Sequence, residues 1–562
     1  MKLSNTLQGY QKDWLSADIS AGLIVAIVIV PQAIAYAMLA GLPPQSGLYA
    51  ALLPAIFYAL AGTSPTLAVG PVAVVSLMTL ESVKAFAAPG SDDFIALSAT
   101  LALLVAAFYL LYFMVDLGRW TTFISHSVIS AFTSAAAILI LLNQIKYFTG
   151  LSIPRSGHVW EPLTYSASHS SEIVPQALMI SVLGLLLLWG WQRYAARLLA
   201  RSALPKSVTN ILAKAGPLLL VGGGIIATQA GQLPVSTVGH IPGGLPSLQF
   251  PALFSHDWQG LLPSAAVIAL IGYLESLSVG NSMARAQGIR LQANQELLAL
   301  ALANAASAIS RGYPVAGGFG RSMVNFSAGA RSQMSSIVMA STLALVCLFA
   351  TDWFATLPHA ILGVIVALAV WPLIRFQDGW HAWRFRKSDG LVWLATFTAV
   401  LLMGAEQGIL LGMMLSLALY LKRTSEPHIA EIGRFADSDH FRNVLRHQVT
   451  TCPEVLMVRI DENLYFANSQ FLLDYIAQRL QDKPQVRHVV LVGSAINYID
   501  FSGFEALSHL LSELHDKQIE LHLAEFKGPV MDQINKTDLL ERLQPGRVFF
   551  TASEALRHLG NV

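Results

Sequence analysis

The sequence predicts an α-helical polytopic membrane protein of inverted-repeat design that ends in a small α/β domain. Three observations predict it. Hydrophobic residues make up 54% of the 562, charged residues only 12%, and mean hydropathy is +0.55, whereas a soluble chain carries about 25% charged residues. The charge is also unevenly spread: about 9% of residues 1–423 are Asp, Glu, Lys or Arg, against about 23% of 424–562. That assigns the first stretch to a bilayer and the second to water. Finally, two of the apolar segments are interrupted by Pro and Gly at corresponding places in the chain.

Apolar segments run near 18–39, 46–61, 68–83, 95–114, 122–147, 175–192, 212–230, 260–280, 293–309, 319–330, 334–350, 357–373, 388–404 and 406–422. Most are long enough to cross about 30 Å of hydrocarbon at 1.5 Å per residue. The third, around TSPTLAVGPVAVVSL (63–77), and the tenth, around GYPVAGGFGRSM (312–323), are short and broken. Equivalently placed breaks point to an inverted-repeat transporter with a site at the membrane midplane. Each break starts a half-helix whose N-terminal amides face that site, where the dipole favours an anion. The chain thus reads as a transmembrane domain over 1–423, a linker over 424–440 and a soluble domain over 441–562.

Topology follows from the basic residues. With the N-terminus inside, seventeen Lys and Arg fall on the inner side and four (Lys84, Lys146, Arg155 and Arg311) on the outer, a strong positive-inside bias. Residues 1–17 are mixed polar and read as no cleavable signal. An even number of crossings then puts the N-terminus and the tail in the cytoplasm, the protein in the cytoplasmic (inner) membrane. Two cysteines exclude a disulfide framework, and a net charge of +1 argues against a nucleic-acid partner.

Arg321 is the permanent cation left inside the membrane, in the first turn of the second half-helix. Alone it opposes the helix dipole; an anion held between them satisfies both. The alternative is a structural ion pair with a buried carboxylate. GTSPTLAVG lacks a phosphate-loop lysine, so nucleotide binding has no support. No paired histidines suggest a metal, and no nucleophile–base set suggests an enzyme. No cofactor is expected. His126 reads as an interfacial or packed histidine, Asp18 and Ser20 as helix-start residues, and RFQDGWHAWRFRKSD (375–389) as an interfacial anchor.

PQAIAYAMLAGLPPQSGLYAALLPAIFYALAGTS (31–64), AVGPVAVVSLM (68–78), LESLSVG (274–280), NQELLALALAN (294–304) and GGFGRSMVNFSAGARSQ (317–333) together resemble the sulfate permease family, also called solute carrier family 26. The resemblance implies seven-plus-seven inverted repeats, a core and a gate domain, and a homodimer. It also implies secondary transport of anions such as sulfate, bicarbonate, chloride or dicarboxylates, with sulfate leading and H⁺ or Na⁺ as the coupling ion. Carried onto this chain, the anion site comprises Gln32, Tyr36, Val72, Ala73, Gly318, Phe319, Gly320 and Arg321. Gln32 and Tyr36 are four apart and share a helix face. The alternative for Tyr36 is a packing aromatic, and for the Gln32 amide that it satisfies a carbonyl freed at Pro31. Gly320 stands where many members carry Ser, so that hydroxyl is missing. Glu275, the carboxylate inside the eighth segment, falls where members carry an acidic residue linked to the coupling ion. Proton carrier, sodium ligand and partner of Arg321 are its three readings.

In the tail, VLMVRI (455–460), HVVLVG (488–493) and IELHLAEF (519–526) alternate with helical stretches near 468–481 and 502–516, predicting an α/β unit with parallel strands. YIDFSGFEAL (498–507) resembles the loop of the STAS domain. Phe501 occupies the position that is phosphorylated in soluble relatives, and Ser502 reads as the helix N-cap, with Asp500 before it.

Overall fold

The computed structural model describes residues 10–119, 125–153, 159–199, 215–251, 258–436 and 438–560, with 209 and 212. Of the basic residues counted for topology, Lys2, Arg155, Arg201, Lys206 and Lys214 lie outside the described residues. The chain divides into two units, 1–413 and 414–562.

The first unit is helical. Its segments are α1 (Leu15–Leu39), α2 (Pro44–Ala61), α3 (Ala73–Val83), α4 (Asp92–Met114), α5 (His126–Thr149), α6 (Pro175–Leu199) and α7 (Gly216–Gly231). They are followed by α8 (Leu262–Gln287), α9 (Ala293–Ile309), α10 (Phe319–Ser327), α11 (Met334–Phe349), α12 (His359–Val370), α13 (Lys387–Met403) and α14 (Ala405–Ser425), which continues into the second unit. Among the described residues six helices are long and apolar enough to cross a membrane; α3, α7 and α11 are apolar but shorter. The two runs of seven match in kind, each with its broken third member, as a seven-plus-seven inverted repeat requires.

Local chemistry sets the ends. Pro44 opens α2, where a missing N–H costs nothing. Ser91 accepts from the Phe94 amide at 3.1 Å to cap α4. Gly150, at φ 72°, ends α5 in the left-handed region. The repeats interleave rather than sit side by side. Helix α9 packs on α4 and α2, and α11 on α1; a second group forms where α13 and α12 pack on α5. These are the core and gate groupings. The basic-aromatic stretch 375–389 contains the helix Phe376–Phe385, which exposes Trp380 and Trp383.

The second unit is an α/β domain on a six-stranded sheet of order β4-β3-β5-β6-β7-β8. Strands β5 (Val455–Ile460), β6 (His488–Val492), β7 (Glu520–Ala524) and β8 (Val548–Phe549) run parallel, while β3 (Ile429–Arg434) is antiparallel to β5 and to β4 (Phe441–Asn443). Leu472 and Ile476 of the helix Ser469–Asp482, and Leu507, Leu510 and Leu514 of the helix Phe501–Asp516, cover one face. Ala552, Ala555 and Leu556 cover the other. Two sequence expectations need correction. The stretch read as a linker contains β3, because Ala430 and Ile432 join the core. The N-cap of the second helix is Asp500, not Ser502: the Asp500 carboxylate accepts from the Gly503 amide at 2.7 Å and the Phe466 amide at 3.0 Å.

Candidate substrate site

Strands β1 (Val69–Gly70) and β2 (Ala316–Gly317) pair antiparallel, Val69 opposite Gly317 and Gly70 opposite Ala316. Helix α3 starts three residues after β1 and α10 two residues after β2, so the pairing brings both helix N-termini to one place. Their N-cap residues, Val72 and Gly318, offer no side-chain cap. The first-turn amides are left to whatever lies in front of them.

The broken backbone behind these ends is satisfied inside the protein, as a bilayer demands. Asn304 accepts from the Val315 amide at 2.9 Å and donates to its carbonyl at 3.0 Å. Ser276 Oγ accepts from the Gly317 amide, and Ser322 Oγ from the Ala68 amide. Gln333 Nε2 donates to the Ser64 and Leu67 carbonyls, and Asn325 to that of Thr66. None of these five residues stood out in the sequence, because their partners are 11 to 269 positions away.

In front of the two N-termini lies a cavity of about 420 Å³. Gln32, Tyr36, Val72, Ala73, Gly318, Phe319, Gly320, Arg321 and Glu275 all line it, with Trp191 and Gly216 from α6 and α7. Among the described residues Arg321 and Glu275 are the only charged side chains of that lining. Tyr36 is buried and Gln32 half-buried. The Gln32 amide makes no hydrogen bond among the described residues, so it is not spent on the kink at Pro31.

Arg321 is only 2% exposed. Its Nη1 donates to the Pro71 carbonyl, which tethers α10 to the start of α3. Its Nε and Nη2 have no partner among the described residues. Glycines make room for the guanidinium. A β-carbon at Gly318 would stand 2.9 Å from Nη2 and one at Gly70 3.5 Å away, whereas one at Gly320 would meet nothing within 4 Å. Among the described residues no carboxylate pairs with Arg321, so the structural ion pair weighed from sequence is not made there. Glu275 is half-buried and has no hydrogen-bond donor among the described residues. It also lines a smaller cavity of about 170 Å³ with Phe319, His126 and Asp378.

Three other carboxylates brace the helical unit. Asp18 does more than start a helix. It is fully buried and accepts from the Arg331 amide at 2.7 Å, the Ser332 amide at 3.1 Å and Ser332 Oγ at 2.6 Å, fixing α1 to the start of α11. Ser20 Oγ returns to the Ala17 carbonyl. Glu296 accepts from Tyr58 and from the amide and hydroxyl of Thr63. Glu406 accepts from Ser82 at 2.6 Å and Ser264 at 2.9 Å.

Two half-helices converging on a cavity inside a repeated helical bundle define a multi-pass membrane transporter. The chain matches the sulfate permease family over residues 15–396 and the STAS domain over 446–555. It is 34% identical to "Sulfate transporter 4.1, chloroplastic" of Arabidopsis thaliana, over 97% of this chain and 80% of that one. It is 30% identical to a probable sulfate transporter of Mycobacterium tuberculosis, over 98% and 96%. Among solved structures it resembles the murine solute carrier 26 family member A9 anion transporter in its inward-facing state, with TM-score 0.88, 22% identity and coverage of 98% and 92%. The transmembrane domain of a cyanobacterial bicarbonate transporter gives TM-score 0.60 at 23% identity, covering 73% and 98%. The chain belongs to the sulfate permease family, a family of anion transporters rather than enzymes.

Proposed function

We propose that this protein is a secondary active carrier that takes up sulfate together with protons across the cytoplasmic membrane. The observation that carries the reading is the Arg321 guanidinium, buried with two unspent donors where two uncapped helix N-termini meet. Such a place favours an anion three times over: by the two dipoles, the free amides and the fixed charge. Sulfate is supported by the names of the relatives at 30–34% identity. Gln32 and Tyr36 offer an amide and a hydroxyl from α1, and Val72, Ala73 and 318–320 offer backbone. Glu275 faces the same cavity and carries the proton, lowering the net charge that must cross. The N-terminus and the STAS domain lie on the cytoplasmic side, as the positive-inside count favours, and the carrier works as a homodimer.

Radiolabelled sulfate uptake into proteoliposomes tests this. Concentrative accumulation driven by an inward proton gradient is expected. Accumulation of bicarbonate or a C4-dicarboxylate instead of sulfate would overturn the substrate, sodium dependence without proton dependence would overturn the coupling ion, and equilibration without accumulation would make the protein a channel or sensor.

A further inference from the structure

The α/β unit carries a second candidate anion site, remote in sequence from the first. A recess of about 360 Å³ is lined by His428, Arg442, Arg446, His447, Arg459 and Asp461. Three of these carry permanent positive charge and one negative. Asp461 is already engaged: it accepts from Arg459 Nε at 2.6 Å and Nη2 at 3.2 Å, and His428 Nδ1 lies 2.8 Å from it. Arg442 and Arg446 are therefore the uncompensated charges. No carboxylate pairs with either among the described residues, and Arg442 spends Nη1 only on the neighbouring Phe441 carbonyl.

The scaffold holds these two arginines in place. Arg442 sits on β4, opposite Gly433 of β3. After β4 the chain turns tightly: Asn443 Oδ1 accepts from the Leu445 amide at 2.8 Å, and the Asn443 carbonyl accepts from the Arg446 and His447 amides at 3.0 and 3.1 Å. An Asx turn of this kind fixes a loop without help from a core. At its tip Leu445 is 80% exposed, an apolar side chain beside two free cations.

What covers such a surface follows from where it sits in the chain. Helix α14 ends at Ser425, carrying Lys422 and Arg423 in its last turn. His428, on the rim of the recess, comes three residues later, at most about 10 Å of extended chain. Thr424 is bonded to Tyr465 and Asn468 of the domain itself, so the helix end and the domain hold together. A basic recess with an apolar tip, tied this closely to the end of a membrane helix, matches phosphate groups at a lipid surface. Arginine forks suit phosphate oxygens bidentately, and juxtamembrane basic clusters recognise anionic headgroups.

We infer that the recess between β4, the 443–447 turn and the end of β5 binds the headgroup of an anionic phospholipid, with Arg442 and Arg446 on the phosphate and Leu445 in the apolar boundary. The test uses the full chain in detergent, titrated with short-chain phosphatidylglycerol, phosphatidylcholine or inorganic phosphate, with hydrogen exchange of 441–447 as the readout. Phosphatidylglycerol is expected to protect these amides, and phosphatidylcholine not to. Each near-surface arginine contributes about five-fold in affinity, so Arg442→Gln with Arg446→Gln should weaken protection about thirty-fold. Leu445→Ser should weaken it less, and added salt should weaken it in the wild type. Exchange of β5, β6 and β7 in the same spectra reports whether each variant is folded. Equal protection by both lipids, protection by inorganic phosphate without any by phosphatidylglycerol, or a folded double variant that binds like wild type would each overturn the inference.

Discussion

Replacing Arg321 by glutamine separates the two things a buried arginine can do. The wild-type guanidinium has Nη1 on the Pro71 carbonyl and leaves Nε and Nη2 without partners. A charge-assisted hydrogen bond contributes about 1.5–3 kcal/mol. Losing two at the low end gives about 3 kcal/mol, or roughly a hundred-fold weaker sulfate binding. The effect on the empty protein has the opposite balance. The Pro71 carbonyl loses a donor, at about 1–3 kcal/mol, but a desolvated cation with no carboxylate hydrogen-bonded to it among the described residues also disappears, and that cation costs several kcal/mol. Arg321→Gln is therefore expected to melt at or above the wild-type temperature when empty, while needing about a hundred times more sulfate for the same thermal shift. Melting curves over a sulfate titration, with calorimetric binding beside them, measure both. A folded variant that binds sulfate as tightly as wild type would refute the anion role. Strong destabilisation with unchanged affinity would make Arg321 a structural residue.

Other substitutions probe the same site and the tail. Glu275→Gln should abolish the stimulation of uptake by an inward proton gradient while sulfate binding survives; uptake that still rises with external acidity to the wild-type extent rules out the proton role. Gly318→Ala puts a β-carbon 2.9 Å from Arg321 Nη2 and 3.2 Å from Val72 Cγ1 and should cost about ten-fold in affinity, whereas Gly320→Ser enters open space and should fold and bind within a few-fold of wild type. Equal effects of the two glycine changes in binding assays would contradict the placement of the guanidinium. In the α/β unit, burial first, with His488 adding to it, pushes the His522 imidazole down to about 4 from an ordinary 6.5. The folded domain refuses a proton that the unfolded chain takes, so stability is full above pH 6.5 and falls toward about 4, by about 3 kcal/mol when complete. Proteolysis of the tail in urea should show that loss, and His522→Asn, which keeps an acceptor for the Arg547 amide without a titrating ring, should remove much of it. A midpoint constant across this range would contradict the assignment.

Much of the fold was legible because its signals are local. Apolar runs, the Pro and Gly breaks at 63–77 and 312–323, and the alternation in the tail need no knowledge of distant partners. The cavity lining followed from those breaks together with the family motifs. What stayed hidden depends on long-range pairing. Strand β3 carries Glu431 amid apolar neighbours and reads as a connector until Lys483 pairs with that carboxylate. Strand β8 is two residues long. Asn304, Ser276 and Gln333 look like ordinary polar residues on apolar helices, and only the folded chain shows them holding the broken backbone. Asp18 looked like a helix-start acid because its true partners lie 313 and 314 residues away.

The carboxylates of the helical unit finally sort themselves by who donates to them. Asp18 and Glu296 each hold three donors, Glu406 two serine hydroxyls, and Asp378 the Ser130 hydroxyl at 2.7 Å. Each of these carboxylates ties together elements far apart in the chain. Their role is structural, and replacing them would loosen the bundle. Glu275 differs in kind. It lies on α8 between two cavities, faces the same space as Arg321 without pairing to it, and receives no hydrogen bond among the described residues. A proton can therefore join or leave Glu275 without breaking any contact that holds the helices together. The proposed coupling role needs that freedom, since a proton carrier changes charge at every turnover. Of these five acids among the described residues, the four that brace the helices accept hydrogen bonds and Glu275 does not, and Glu275 alone of the five lines the larger cavity, which is why the proposed coupling role falls to it.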